Sequence, residues 1–233
     1  MTTPLLPLDV LVLVMEASTA AGSVALLRGT RVLQQRPVAM GVSKEDALFP
    51  AVQTVLHDEG VAPSRLGAIV CGSGPGSFTS LRIAAAIAKG LAHSSNIPLY
   101  GVPSLLLAAA SCDTPGQYVV HSDALRGERY AMPVTIDVEL MVRADDDMSR
   151  VENDAVNALT GGRKQLVVPG GATPTDVFEG AMTVVPNAAR LTRITDWQQR
   201  GVVLLDSWEP AYGRLAEAQV KWEAAHQRPL PAG

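Results

Sequence analysis

Residues Ala68 to Ala92 read AIVCGSGPGSFTSLRIAAAIAKGLA, and this stretch decides the fold. Ala68-Ile69-Val70-Cys71 is an apolar run of strand length that ends at a glycine. Gly72, Gly74, Pro75 and Gly76 then crowd a short loop, which gives the backbone unusual dihedrals and lets other groups approach closely. Ser77, Thr79 or Ser80 can cap the helix that follows, leaving a row of N–H groups at its start. Such a terminus attracts anions. The loop is neither G-x-G-x-x-G nor G-x-x-x-x-G-K-[ST], since no lysine stands at the helix start. Glycines that serve packing alone remain the competing reading. In the helix, Ile83, Ile87, Gly90 and Leu91 form one stripe, and Leu81, Ala84, Ala88 and Ala92 form the next. Apolar or small residues on both sides exceed what one sheet covers, so the helix is either sandwiched within its own domain or docked on a partner helix.

Working outward, Val10 to Met15 is a continuous aliphatic run and reads as a buried central strand. Ser23–Leu27 and Arg31–Val38 follow across short turns, which makes an antiparallel meander. Ser43 to Glu59 carries a helical pattern with Leu48, Val52 and Val55 on one face. Ser43 and Asp46 stand at capping-box spacing, and Pro50 should kink this helix or move its start later. Beyond the glycine stretch, Leu99–Val102 is a short strand, and Ser104 is placed to cap a helix from Leu105 to Cys112. Tyr118 to Asp123 is another apolar strand, followed by a turn and a partner strand to Val134. Residues 136–151, with Asp145-Asp146-Asp147, read as a solvated loop or edge. A short helix from Glu152 to Leu159, a strand from Gln165 to Val168 ending in Gly170-Gly171, and surface helices over Thr175–Ala181 and Ala188–Gln199 complete the pattern.

The bulk numbers bound the function. The 233 residues suffice for one large domain or two lobes. Aromatics make up 4% against 47% hydrophobic residues, so the core is aliphatic. With 19 Lys and Arg against 23 Asp and Glu, there is no global basic field to hold a polyanion. Cys71 and Cys112 show no C-x-x-C spacing and read as reduced, buried thiols. The start of the chain lacks a positive n-region, and no run approaches a membrane span, so a cytoplasmic protein is expected. Ser77 is not in a G-x-S-x-G elbow, the four histidines do not cluster with it, and H-E-x-x-H is absent. Glu16 and Asp123 could supply acids for Mg²⁺, yet neither glycine loop holds a lysine.

Gly74-Pro75-Gly76-Ser77-Phe78-Thr79-x-Leu81-Arg82-Ile83, followed by Ala88-Lys89-Gly90-Leu91-Ala92, resembles the signature of the TsaB (YeaZ) family. The resemblance extends to the first hairpin, to Asp123, Ala124, Gly127, Glu128 and Tyr130, and to Pro210-Ala211-Tyr212-Gly213-Arg214. Glu16, Lys44, Ser80 and Leu125 depart from the family's usual residues. The resemblance implies an α/β protein with the actin-like ATPase (ASKHA, ribonuclease-H-like) fold. Its two lobes, residues 1–103 and 104–233, would each hold a mixed sheet flanked by helices, and the last helix could pack back on the first lobe. It implies a non-catalytic subunit of the bacterial complex that makes threonylcarbamoyladenosine beside the tRNA anticodon. The partners would be a TsaD-like catalytic subunit and a TsaE-like ATPase, with a homodimer in the absence of the partner, indirect contact with tRNA and none with membranes.

The expected docking residues are Leu48, Val52, Leu81, Ile83, Ala84, Ile87, Ala88 and Leu91, so that Ala84→Arg or Ala88→Arg should abolish pairing without unfolding the chain. No cofactor is required and no metal ligand is assigned. If nucleotide binds at all, ATP or ADP with Mg²⁺ would sit at the complex interface, near Glu16, Gly74, Gly76, Ser77 and Asp123. The competing reading is an active ATPase or phosphotransferase of the actin-like superfamily. Protease activity on unfolded substrates, the old label of the TsaD relatives, is not expected.

Overall fold

The computed structural model describes residues 9–41, 47–170, 178 and 180–212. The capping pair Ser43 and Asp46, the departure at Lys44, the helix from Thr175, and everything from Gly213 lie outside the described residues.

The first sheet is built from β1 (Leu11–Glu16), β2 (Ala21–Arg28), β3 (Arg31–Ala39), β4 (Ala68–Gly72) and β5 (Leu99–Val102), in the order β3-β2-β1-β4-β5. The meander β1–β3 is antiparallel, and β4 and β5 join β1 in parallel. β1 is buried at every position, as a strand covered on both faces must be. Leu13 and Met15 enter one core, while Val12 and Val14 enter the other. The first core lies under α1 (Leu48–Asp58) and α2 (Phe78–Ser95). Pro50 sits in the first turn of α1, where its missing N–H costs no helical hydrogen bond, and so the described helix begins at Leu48.

The second core lies between the two sheets. It is centred on α3 (Ser104–Ala109), every residue of which is buried. The second sheet runs β11-β10-β6-β7-β8, from β6 (Gly116–Leu125), β7 (Glu128–Ile136), β8 (Val142–Ala144), β9 (Ser149–Glu152), β10 (Lys164–Val168) and β11 (Met182–Thr183), with β9 also paired to β7. Arg126 and Gly127, both at positive φ, turn the β6–β7 hairpin. That is the backbone a two-residue turn needs to match strand twist. Helix α4 (Asn153–Thr160) closes on Gly161 at φ 49°.

Residues 136–151 include the edge strands β8 and β9, within the loop-or-edge reading, and Asp145 is bound by Arg163 at 2.6 Å and by Thr135 at 2.8 Å. Two expectations fail locally. Residues 188–199 form two short 3-10 turns, not a surface helix. Ala188 and Leu191 are buried against the first sheet, where Ser23 Oγ accepts from the Ala188 N–H. Ser104 does not cap α3: its hydroxyl is taken by a buried carboxylate, and Pro103 stands at the cap.

After the second 3-10 turn the chain returns to the first lobe. Val202 bridges Tyr100 on the free edge of β5, Trp208 covers Gly101, and Ala211 N–H donates to Ser73 O at 2.7 Å. No helix among the described residues is long and apolar enough to cross a membrane.

Candidate functional site

The carboxyl ends of β1, β4, β6 and β10 converge on a cleft of about 580 Å³ between the lobes. Open α/β sheets place ligand crevices at strand ends of this kind. One wall is the β1–β2 turn with the glycine loop (Ser18, Thr19, Gly76, Ser77). The facing wall is the second sheet (Ser122, Asp123, Tyr130, Gly170), and Tyr212 stands at the edge. Three of the five nucleotide-site candidates, Gly76, Ser77 and Asp123, line this cleft together with the second glycine turn at Gly170.

The glycine loop is bound to the first hairpin. Ser77 N–H donates to Ser18 O at 2.8 Å, and a Cβ on Gly76 would lie 2.2 Å from that oxygen. Only glycine permits this approach. Ser77 caps α2, accepting from the Ser80 N–H at 3.5 Å.

Glu16, expected beside any bound nucleotide, does not line the cleft wall. Its residue exposure is 0%. Oε1 accepts from Ser18 N–H at 2.6 Å, and Oε2 accepts from Ser104 Oγ at 2.8 Å. Ser104 Oγ accepts in turn from Gly74 N–H at 3.1 Å. Burial raises the carboxyl above its ordinary range, while hydrogen bonds from Ser18 and Ser104 oppose the shift. Oε2 lies where a Cβ on Gly72 would stand, only 1.9 Å away. Glu16 is therefore a buried clasp that fixes the hairpin turn, the glycine loop and the start of α3 to one another. Ser104, the other half of the clasp, was missed because its place before an apolar run is also that of an N-cap.

Asp123 lines the cleft, and the register sets it opposite Arg129. Burial lowers Arg129, and the charge of Asp123 raises it. Arg129 Nε donates to His121 Nδ1 at 3.1 Å, and the guanidinium lies 4.9 Å from the Phe178 ring. Burial, then the Arg129 charge, holds His121 down at about 4. His121 is thus neutral at ordinary pH, with its proton on Nε2 facing Gln165 Oε1 at 3.2 Å. Among the described residues no group of three His, Cys, Asp or Glu could hold a metal ion.

The structure divides the expected docking residues. Leu48, Leu81, Ala84 and Ala88 are 0% exposed and Val52 is 1% exposed. They pack inside the first lobe, so they offer no surface. The reason is geometric: the sheet takes the Leu81-Ala84-Ala88-Ala92 stripe, whose small residues let α2 lie close to β4. The neighbouring stripe stays outside, with Ile83, Ile87 and Leu91 half-buried and Ala86 and Gly90 exposed. A Cβ on Gly90 would meet nothing within 4 Å. The returning segment flanks the other side of α2. The Tyr212 ring packs at a 55° tilt against Phe78, centroids 4.7 Å apart, Arg82 lies 5.3 Å from the Phe78 ring, and Lys89 reaches Glu209 at 3.5 Å. Tyr212 also hydrogen-bonds Glu209.

Comparison with known proteins adds the family. Residues 38–183 match the family model described as TsaD, tRNA N6-adenosine threonylcarbamoyltransferase. The chain is 36% identical over 120 residues to the Bacillus subtilis tRNA threonylcarbamoyladenosine biosynthesis protein TsaB, covering 51% of this chain and 52% of that protein. It is 40% identical over 62 residues to the Escherichia coli protein of the same name, covering 27% of each. The chain spans about half the length of the curated relatives it matches first. In structure it is similar to YeaZ from Pseudomonas aeruginosa, with a TM-score of 0.71 at 24% identity over 87% of this chain and 99% of that one. That likeness carries the fold, two mixed sheets flanked by helices, as expected from the sequence.

Proposed function

The chain belongs to the family whose model is described as TsaD, tRNA N6-adenosine threonylcarbamoyltransferase, and from that premise, with its likeness to TsaB, we propose that it is a TsaB/YeaZ-type, non-catalytic, cytoplasmic subunit in tRNA threonylcarbamoyladenosine biosynthesis, docking a TsaD-type catalytic subunit through α2. The observation that carries this reading is the outer stripe of α2. Ile83, Ile87 and Leu91 are half-buried beside exposed Ala86 and Gly90, a low ridge against which a second helix can pack closely. The Glu16 clasp supports it, since both oxygens of that buried carboxyl accept from Ser18 and Ser104 within the fold. In this reading a TsaE-like ATPase joins the pair, tRNA is met through the partner, and the same ridge self-associates when the partner is absent.

Calorimetric titration with a TsaD-type subunit tests the proposal. Wild type should bind, while Ile87→Arg and Gly90→Arg should remain folded and lose at least about tenfold in affinity, or about 1.4 kcal/mol. Undiminished binding by both variants overturns it.

The second reading is an ATP-binding subunit or active ATPase. The interlobe cleft beside the α2 N-terminus favours it. Titration of the isolated chain with ATP and Mg²⁺, followed by a turnover assay, separates the two. Binding without turnover fits a nucleotide held near the complex interface, and turnover favours the ATPase.

A further inference from the structure

From Ala17 to Lys44 the chain holds three arginines, one lysine and no aspartate or glutamate, although its net charge is −4. Arg28, Arg31 and Arg36 all lie on the β2–β3 hairpin and all are exposed. Among the described residues none of them makes an ion pair or a side-chain hydrogen bond with a carboxylate. The register sets Arg28 directly opposite Arg31. Like charges in that position destabilise a hairpin, so the pair works against folding, and among the described residues no ion pair offsets it.

The bulge between Leu26 and Leu27 decides where these side chains go. Leu26 pairs with Gln34 and Leu27 with Val32, so β3 carries one extra residue. Without it, alternation would send Arg31 to the opposite face from Gln34 and Arg36. With it, Arg31, Gln34 and Arg36 share one face, and Arg28 stands beside Arg31 on that face. Val24, the partner of Arg36, and Leu26, the partner of Gln34, identify that face as the one α1 covers further in. β3 is also the outer edge of the sheet. The outcome is a cationic row about 16 Å long on an open edge, at about 3.3 Å per residue.

We propose that this row is a contact for the phosphodiester backbone of RNA. The opposed arginines and the bulge that aligns them form a surface whose complement is a regular polyanion, and arginine forks suit phosphate oxygens. The identification of that polyanion as RNA rests on the family reading. The row lies on β2 and β3, away from the α2 ridge, so it adds a direct RNA contact to a chain otherwise expected to meet tRNA only through its partner.

The test is fluorescence anisotropy of the whole chain with a short labelled single-stranded RNA over a salt series, and with polyglutamate as a second probe. The triple variant R28A/R31A/R36A should lose about tenfold or more in RNA affinity, and its log–log salt slope should fall by about 2, at about 0.7 per phosphate contact. Its melting temperature should not fall, because the opposed pair is gone. R65A, which removes an exposed arginine elsewhere, should bind like wild type. An affinity within twofold of wild type in the triple variant, absence of RNA binding by wild type at low salt, or preference for polyglutamate over RNA overturns the proposal. Titration of the triple variant with the TsaD-type subunit keeps the two readings apart: retained binding there with lost RNA affinity leaves the docking proposal untouched.

Discussion

Glu16 and Ser104 are 88 residues apart in sequence and 2.8 Å apart in space, with the hydroxyl donating to Oε2 of a carboxylate that solvent does not reach. The bond ties the end of the first strand to the first turn of α3, and through Gly74 N–H it also holds the glycine loop. Ser104→Ala would leave one buried acceptor and one buried donor without partners. It should cost about 2 to 4 kcal/mol in chemical denaturation. Glu16→Ala should cost at least as much, and Glu16→Gln less, because an amide oxygen still accepts one of the two bonds.

The same clasp has a pH signature. Burial raises the Glu16 carboxyl above 4.5, so the folded state binds this proton more tightly than the unfolded chain. Its contribution to stability is fully present below 4.5 and is lost as pH rises through the raised value. Glutamine cannot titrate. The melting temperature of wild type relative to Glu16→Gln should therefore fall from about pH 4 to about pH 8, and a difference that rises over this range would contradict the burial argument.

His121 acts with the opposite sign. Its folded value is depressed from 6.5 to about 4. The unfolded chain takes up a proton that the folded one refuses, so stability is full above 6.5 and is lost as pH falls toward 4. His121→Gln keeps an acceptor for Arg129 and does not titrate. Acidification should destabilise wild type relative to this variant by no more than about 3 kcal/mol, and NMR titration of the imidazole should show no protonation near neutral pH.

Trp208 lies over Gly101, with Nε1 only 3.1 Å from where a Cβ would stand, and Lys89 sits 5.9 Å from its ring. Trp208→Ala should cost about 2 kcal/mol, below the figure for a fully buried tryptophan because Trp208 is half-buried. Limited proteolysis should then cut residues 202–212 faster, since these residues cover the free edge of β5.

The sheets were legible in the sequence because their signals are local and strong. Val10–Met15 is an unbroken aliphatic run, and the strand-loop-helix at residues 68–92 has its punctuation in place. What failed was whatever depends on a distant partner. Two stripes on α2 were visible at helical spacing, but periodicity does not say which one the sheet takes. Joining them put Ala84 and Ala88 on a surface when they are core. Glu16 looked like a site acid because it ends an apolar strand; only the folded chain brings Ser104 to it, whereas Asp123, which ends another such strand, does line the cleft. Ala188 to Gln199 carries helix-forming residues, yet short 3-10 turns win because the segment packs its small residues onto the first sheet.

Separating the α2 stripes changes what substitutions there report. Ala84→Arg forces a long cation into a site with no exposure and should leave no folded monomer by circular dichroism. Gly90→Arg adds the same side chain over open space and should melt within a few degrees of wild type.

The claim that the outer stripe of α2 is the docking surface is tested most directly by placing a photo-crosslinking amino acid at position 90 and irradiating the chain with a TsaD-type subunit. Docking through this stripe should give a covalent heterodimer from position 90 and none from the same residue at position 65. Capture from position 65 with none from position 90 would contradict it.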